Sequence, residues 1–184
     1  MRIISGLYGG RVLNPKIPDG IRPTTDIVRE SLFNTLTNLM DIENTEILDL
    51  FAGTDALGIE ALSRGASFAT FVDNSTKSLS LLKSNLTLLR IPQEQTEIIK
   101  SDVLNFLKKT TKKYDIIFAD PPYNENSFYE TLDLICINDI LNKNGVILFE
   151  TANKINQIAN KNYIKIKEKT FGITKISYFT KKND

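Results

Sequence analysis

The sequence predicts an α/β fold, a doubly wound Rossmann-like sheet that is mostly parallel with one antiparallel strand, plus a small N-terminal β-hairpin and helix. Three observations predict it. From residue 46 onward short apolar runs alternate with longer amphipathic stretches, the pattern of strand–helix–strand units with right-handed crossovers. Runs such as Tyr114-Asp115-Ile116-Ile117-Phe118-Ala119 are nearly all apolar, as strands covered on both faces are. The last two runs, Tyr163 to Lys169 and Ile173 to Phe179, are separated only by a short stretch with Phe171-Gly172 and read as a closing antiparallel hairpin.

The elements follow in order. Residues 2–13 alternate short apolar runs with Gly6 and Gly9-Gly10 and read as a hairpin. A loop with Pro15, Pro18, Asp19-Gly20 and Pro23 leads to a helix capped by Thr24 or Thr25. Its apolar stripe is Ile27, Val28, Leu32, Phe33, Leu36 and Leu39. Strands are expected at Glu46–Leu50, Phe68–Val72, Thr96–Lys100, Tyr114–Ala119 and Gly145–Glu150. Helices are expected at Ala56–Arg64, Ser75–Arg90, Asp102 to about Lys109, and about Phe128–Asp139. One boundary, near residue 42, divides residues 1–41 from residues 42–184.

Composition narrows the function classes. Apolar residues are 41% and charged residues 24% of 184, so the chain has material for a core and is no disordered tail. Net charge is +1, so any nucleic-acid surface must be local. Within residues 1–35, Arg2, Arg11, Lys16, Arg22 and Arg29 stand against Asp19, Asp26 and Glu30, a modest basic arm that is either such a surface or an ordinary solvated face. The absence of histidine removes His-based triads and most zinc or iron sites, and no metal is expected. The lone Cys136, among Leu134, Ile135 and Ile137, reads as buried filler in a reducing cytoplasm. No apolar run approaches the length of a membrane span, and Gly6 comes too early for a signal peptide.

Chemistry-bearing residues gather at strand ends. Asp49-Leu50-Phe51-Ala52-Gly53 closes the first strand with a glycine-bearing turn that lets backbone approach a ligand. Its spacing is not that of the dinucleotide fingerprint, which disfavours a nicotinamide oxidoreductase. Asp73 ends the second strand, where a carboxylate can accept both hydroxyls of a ribose. Asp102 follows the third strand and can bond an adenine amino group or cap the next helix. Together these three acid-bearing turns describe a pocket for an adenosine-containing ligand.

The fourth strand ends in Asp120-Pro121-Pro122-Tyr123, which taken alone is either a plain strand-to-loop exit with Asp120 as a turn residue or a binding feature. Two prolines can continue neither strand nor helix, so the chain leaves the sheet stiffly extended. The Asp120 carboxylate and the Pro121 carbonyl can accept both N–H bonds of an exocyclic amine, localising its lone pair for attack. Tyr123 can stack on the base that carries that amine.

These residues, with Arg22-Pro23-Thr24-Thr25-Asp26, Arg29-Glu30, Ala56 to Ala66 and Phe171-Gly172-Ile173-Thr174, resemble the class I S-adenosylmethionine-dependent methyltransferases. More narrowly they resemble the bacterial RsmD family, which methylates the N2 amine of a guanine in 16S ribosomal RNA, and the likeness runs nearly end to end. The resemblance implies an enzyme using S-adenosyl-L-methionine on the small ribosomal subunit; a cytoplasmic location and a monomer are expected beside it. It implies cofactor contacts from Asp49, Phe51, Ala52, Gly53, Thr54, Asp73, Asp102 and Val103, with Thr24 and Thr25 on an arm that closes over the site. It implies that Asp120, Pro121, Pro122 and Tyr123 hold the target guanine and that Arg2, Arg11, Arg22 and Arg29 meet RNA phosphates. Residues 1–41 would then be an RNA-contacting arm and residues 42–184 the methyltransferase domain.

The sequence departs from the family pattern after Gly53, where Thr54 is followed by Asp55 in place of a glycine. A side chain there is strained if φ is positive, and its charge would lie near the cofactor's carboxylate. Two alternatives therefore stay open: adenine-N6 methylation of DNA or RNA, whose enzymes share the D-P-P-Y tetrapeptide, and a non-catalytic rRNA-binding or assembly protein with a weakened cofactor site.

Overall fold

The computed structural model describes residues 1–14, 25–53, 57–121, 125–155 and 162–182, with the side chain of Glu125 excepted. Seven strands are β1 (Glu46–Leu50), β2 (Phe68–Asp73), β3 (Thr96–Lys100), β4 (Tyr114–Ala119), β5 (Leu141–Ala152), β6 (Tyr163–Phe171) and β7 (Thr174–Lys181). They form one sheet in the order β3-β2-β1-β4-β5-β7-β6. All pairings from β3 to β5 are parallel, and β7 is antiparallel to both β5 and β6, so β7 alone runs against the rest. This is the doubly wound, mostly parallel sheet that the alternation of elements implied.

The chain winds outward from β1 to β2 to β3, then returns to the other side of β1 for β4. That reversal opens a crevice beyond the carboxyl ends of β1 and β4, the place where doubly wound sheets bind ligands. Helices α1 (Asp26–Leu39), α2 (Leu57–Ser63) and α3 (Thr76–Leu89) pack on one face. There Leu32, Phe33 and Leu36 of α1 meet Phe118, Leu148 and Tyr178 of the sheet. Helices α4 (Val103–Leu107) and α5 (Glu125–Ile137) cover the other face, where Phe128, Phe149 and Phe179 form an aromatic cluster. Among the described residues no helix is long and apolar enough to cross a membrane.

The N-terminal segment shares the first face's core through Ile3, Tyr8 and Leu13. Its hairpin is closed by the Arg2–Val12 bridge and by backbone bonds that include Ile3 N–H to the Arg11 carbonyl and Leu13 N–H to the Met1 carbonyl, both at 3.0 Å; a two-stranded hairpin is marginal by itself, and docking adds to its hold. Glu60 on α2 is fully buried and accepts from the Ile4 amide (2.7 Å), the Ser5 amide (3.0 Å) and Arg64 Nε (2.8 Å). Ser63 Oγ accepts from the Tyr8 amide at 3.0 Å and donates to the Ser5 carbonyl at 2.5 Å. Gly6, at φ +83°, passes so close to α2 that an added Cβ would lie 1.8 Å from the Ser63 carbonyl oxygen. Asn14 reaches α3 through Asn85 Oδ1 and Ser84 Oγ, both at 2.8 Å.

Several expected boundaries move. β5 begins at Leu141 rather than Gly145, because Leu141 pairs with Tyr114 ahead of a register shift that the polar run Asn142-Lys143-Asn144 conceals. α5 begins at Glu125 rather than about Phe128, and α4 ends at Leu107 rather than about Lys109. Ile27, expected on the buried stripe of α1, is 76% exposed, since that stripe turns inward only from Val28 onward. Cys136 is half-buried rather than buried.

Candidate active site

The site assembles at the carboxyl edge. Leu50 pairs with both Val72 and Ala119, and Val72 with Ile99, so the turns after β1, β2, β3 and β4 open side by side. Phe51 takes φ +59°, a conformation that a bulky residue enters only at a cost of roughly 1–3 kcal/mol. Gly53 follows at φ +48°, where glycine carries no such cost. The Ala52 amide donates to the Val72 carbonyl at 3.1 Å, folding the turn back across β2.

Two of the expected acids brace this turn. Asp49 is buried, and its Oδ2 accepts from the Gly58 amide at 2.9 Å, tying the strand to the start of α2. A Cβ at Gly58 would lie 2.4 Å from the Phe71 ring and 3.0 Å from Asp49 Oδ2, so this close approach needs glycine. Asp73 is 9% exposed; its Oδ2 accepts from the Gly53 amide at 2.7 Å and its Oδ1 from the Ser75 amide at 2.6 Å. A carboxylate offers about four acceptor sites, so capacity remains for a ribose. Asp102 caps α4, its Oδ1 accepting from the Asn105 amide at 2.9 Å. Capping and ligand contact are compatible here, because Asp102 also lines the cleft.

That cleft, about 230 Å³, is lined by Phe51, Asp73, Asn74, Asp102, Val103, Leu104, Ser127 and Thr131. It joins acceptors at the β2 and β3 ends to an apolar wall, an arrangement that fits the hydroxyls, amine and flat ring of an adenosine. Thr131 sharpens the fit. It is fully buried, and among the described residues its hydroxyl has no hydrogen-bond partner. Buried polar groups are nearly always paired, so a hydroxyl without a partner beside the cleft stands out from the rest of the core. Ser127 sits one turn before Thr131 on the same stripe of α5. Asn74, Leu104, Ser127 and Thr131 escaped the sequence reading; only the Ser127–Thr131 spacing could have hinted at a shared helix face.

Asp120 directly follows β4 and is half-buried, with Pro121 buried behind it. Pro122 and Tyr123 lie outside the described residues, as do Thr54, Asp55, Thr24 and Arg22. Thr25 is the N-cap of α1, its side chain accepting from the Val28 amide at 3.4 Å.

Of the four arginines expected at RNA phosphates, the three among the described residues separate. Arg2 is exposed and pairs with Asp26 at 3.1 Å. Arg11 is exposed, donates to the Leu89 carbonyl at 3.2 Å and lies 5.4 Å from the Tyr8 ring centroid. Arg29 corrects the expectation of a phosphate contact. It is fully buried, with Nη2 donating to Asp26 Oδ1 at 2.8 Å and to the Arg2 carbonyl at 2.6 Å, so its charge stays inside the fold. Asp26, three residues earlier on the same helix, and the Arg2 carbonyl supply partners for the buried guanidinium.

A family model described as conserved hypothetical protein 95 matches residues 1–180. The ribosomal RNA small subunit methyltransferase D of Haemophilus influenzae is 41% identical over 180 residues, covering 97% of this chain and 91% of that protein. The chain belongs to the RsmD family of methyltransferases. The Buchnera aphidicola (Acyrthosiphon pisum) protein of the same name is 41% identical over 168 residues, covering 91% and 86%. The solved Escherichia coli protein yhhF superposes with a TM-score of 0.88 at 34% identity, covering 98% of this chain and 97% of that one. A more distant structure, SMU.776 complexed with SAH, shares the fold with a TM-score of 0.68 at 18% identity over 82% of this chain and 48% of that one.

Proposed function

We propose that this protein methylates the exocyclic N2 amine of a guanine in 16S rRNA of the small ribosomal subunit, using S-adenosyl-L-methionine. The register Leu50–Ala119 carries the reading, because it sets the turn of the adenosine-type cleft beside Asp120. Relatives over nearly the whole chain named as small subunit rRNA methyltransferases support the substrate.

S-adenosyl-L-methionine supplies, when bound, a methyl group made electrophilic by its sulfonium. Asp73 would hold its ribose, with Asp102, Val103 and Thr131 on its adenine, and Asp49 would act by bracing the turn of Phe51, Ala52 and Gly53. Asp120 and the Pro121 carbonyl accept the amine hydrogens of the target base, and Asp120 draws positive charge from the nitrogen as it attacks. The base must leave its stack to reach Asp120, which favours an unpaired target nucleotide. Tyr123 would stack on it. Residues 1–41 would supply the RNA-contacting arm through Arg2, Arg11 and Arg22, and residues 42–184 the catalytic domain. We infer a monomer acting in the cytoplasm.

The test is methyl transfer from labelled S-adenosyl-L-methionine to small subunits lacking the modification, with Asp120→Ala and Asp55→Gly run beside the native protein. Label is expected in N2-methylguanine, reduced by about 10²–10³-fold in Asp120→Ala with cofactor affinity intact. Label in N6-methyladenine would transfer the assignment to the adenine reading. RNA binding with no label, restored by Asp55→Gly, would establish a binding protein with a disabled cofactor turn.

A further inference from the structure

Guanine and adenine differ along the edge that Asp120 faces. Guanine presents its N2 amine beside an N1–H donor, whereas adenine presents a lone pair at N1. Asp120 and the Pro121 carbonyl account for the two amine hydrogens and leave the N1–H without an acceptor. We propose that Glu150 supplies it, and that this carboxylate makes the site specific for guanine. The inference rests on the guanine-N2 reading and deepens it.

The sheet places Glu150 for this role. Ala119, the last residue of β4, pairs with Phe149 in the parallel β4–β5 ladder, so that register, continued one residue past the end of β4, sets Asp120 beside Glu150. Both point to one face. Glu150 pairs across the antiparallel ladder with Ile176, and Ile176 belongs to the core on the α1 side. Phe118 belongs to that core and Ala119 to the opposite one, so strand alternation returns Asp120 to the α1 side. Neighbouring strands lie about 4.8 Å apart, so two short acidic side chains in adjacent register can converge on adjacent atoms of one base edge. Both residues are half-buried, open enough to meet a base. Two neighbouring carboxylates attract an edge made of consecutive donors and repel an N1 lone pair, so one arrangement selects guanine and rejects adenine.

The base 2,6-diaminopurine separates recognition from chemistry, since it keeps the N2 amine and replaces N1–H with a lone pair. The methylated guanine is first mapped in subunits treated with native protein. Then 16S rRNA carrying guanine or 2,6-diaminopurine at that position is assembled into subunits and assayed. Native protein should favour guanine by at least about 100-fold in kcat/KM, the scale set by a buried hydrogen-bonding group facing an analogue that cannot pair with it. Glu150→Gln, whose amide can donate to the N1 lone pair, should shrink that preference by at least about tenfold while cofactor affinity stays unchanged. Equal use of both bases by the native protein would overturn the proposal. So would a preference unchanged in Glu150→Gln, or loss of both activities in that variant with cofactor affinity intact. N2 methylation of neither base by the native protein would remove the functional reading itself, a result distinct from each of these.

Discussion

Two buried polar groups show opposite accounting. Glu60, at the joint between the N-terminal segment and α2, has no exposed surface and three N–H partners. Thr131, in the wall of the cleft, has no exposed surface and a hydroxyl with no partner among the described residues. Each is a polar atom removed from water, which costs free energy unless it is repaid by a hydrogen bond. At the joint the fold supplies that bond itself, so Glu60 is structural. At the cleft the fold withholds it, and the Thr131 hydroxyl is left without one. The same contrast appears in the backbone: the joint uses Gly6 for its positive φ, whereas the cleft forces Phe51 into one.

The joint should break most severely. Glu60→Ala strands Arg64 beside a vacated site and leaves the Ile4 and Ser5 amides without their acceptor. Removing one member of a buried ion pair typically costs about 3–5 kcal/mol. For a chain of this size that lowers the unfolding temperature by roughly 10 °C, readable by thermal denaturation. A loss under about 1 kcal/mol would mean that the joint is held by its apolar contacts alone, and the contrast with Thr131 would dissolve.

How legible each region was follows from how local its causes are. β1, β3 and β4 coincide with their expected bounds, because apolar runs closed by charge, glycine or proline state a strand within a few residues. The acids at strand ends were legible for the same reason, since each sits where its own strand stops. Glu60 could not be read as an anchor, because its backbone partners lie 55 and 56 residues away. Arg29 looked like a surface cation in a basic segment, and only the packing of α1 against the Arg2 backbone reveals it as buried. Thr131 is one threonine in an amphipathic helix until the cleft is assembled. Glu150 gains meaning only from register with β4 and β7, a property of the whole sheet.

Tyr178 sharpens the comparison on the satisfied side. Fully buried in β7, it donates its hydroxyl to the Leu32 carbonyl of α1 at 3.2 Å. Burial pushes that hydroxyl up to about 12 from an ordinary 10.0. A folded value above the unfolded one gives stability that is whole below pH 10 and drains as pH rises from 10 toward 12. Two units correspond to about 2.7 kcal/mol at full titration. Tyr178→Phe should cost about 1 kcal/mol at pH 8 through the lost hydrogen bond. It should also flatten the alkaline fall in stability by about 2 kcal/mol relative to the native protein. Identical alkaline slopes in chemical denaturation would place the titration elsewhere.

The smallest effect tests the orphan group most directly. Thr131→Val keeps the shape of the side chain and replaces the hydroxyl with a methyl. If the hydroxyl served the fold, its loss would lower the stability of the ligand-free protein. If it waits for a ligand, the ligand-free protein should hold or gain up to about 1 kcal/mol, since an unpaired buried hydroxyl is itself a cost. Affinity for S-adenosylhomocysteine should meanwhile fall by about five- to tenfold, the worth of one neutral hydrogen bond. Thermal unfolding without ligand and calorimetric titration with it read the two quantities separately. Lower stability with unchanged affinity would give Thr131 a partner within the protein and make both buried groups structural. Unchanged stability with weakened affinity would tie the missing bond at Thr131 to the cofactor, and the contrast with Glu60 would then mark where the fold ends and the binding site begins.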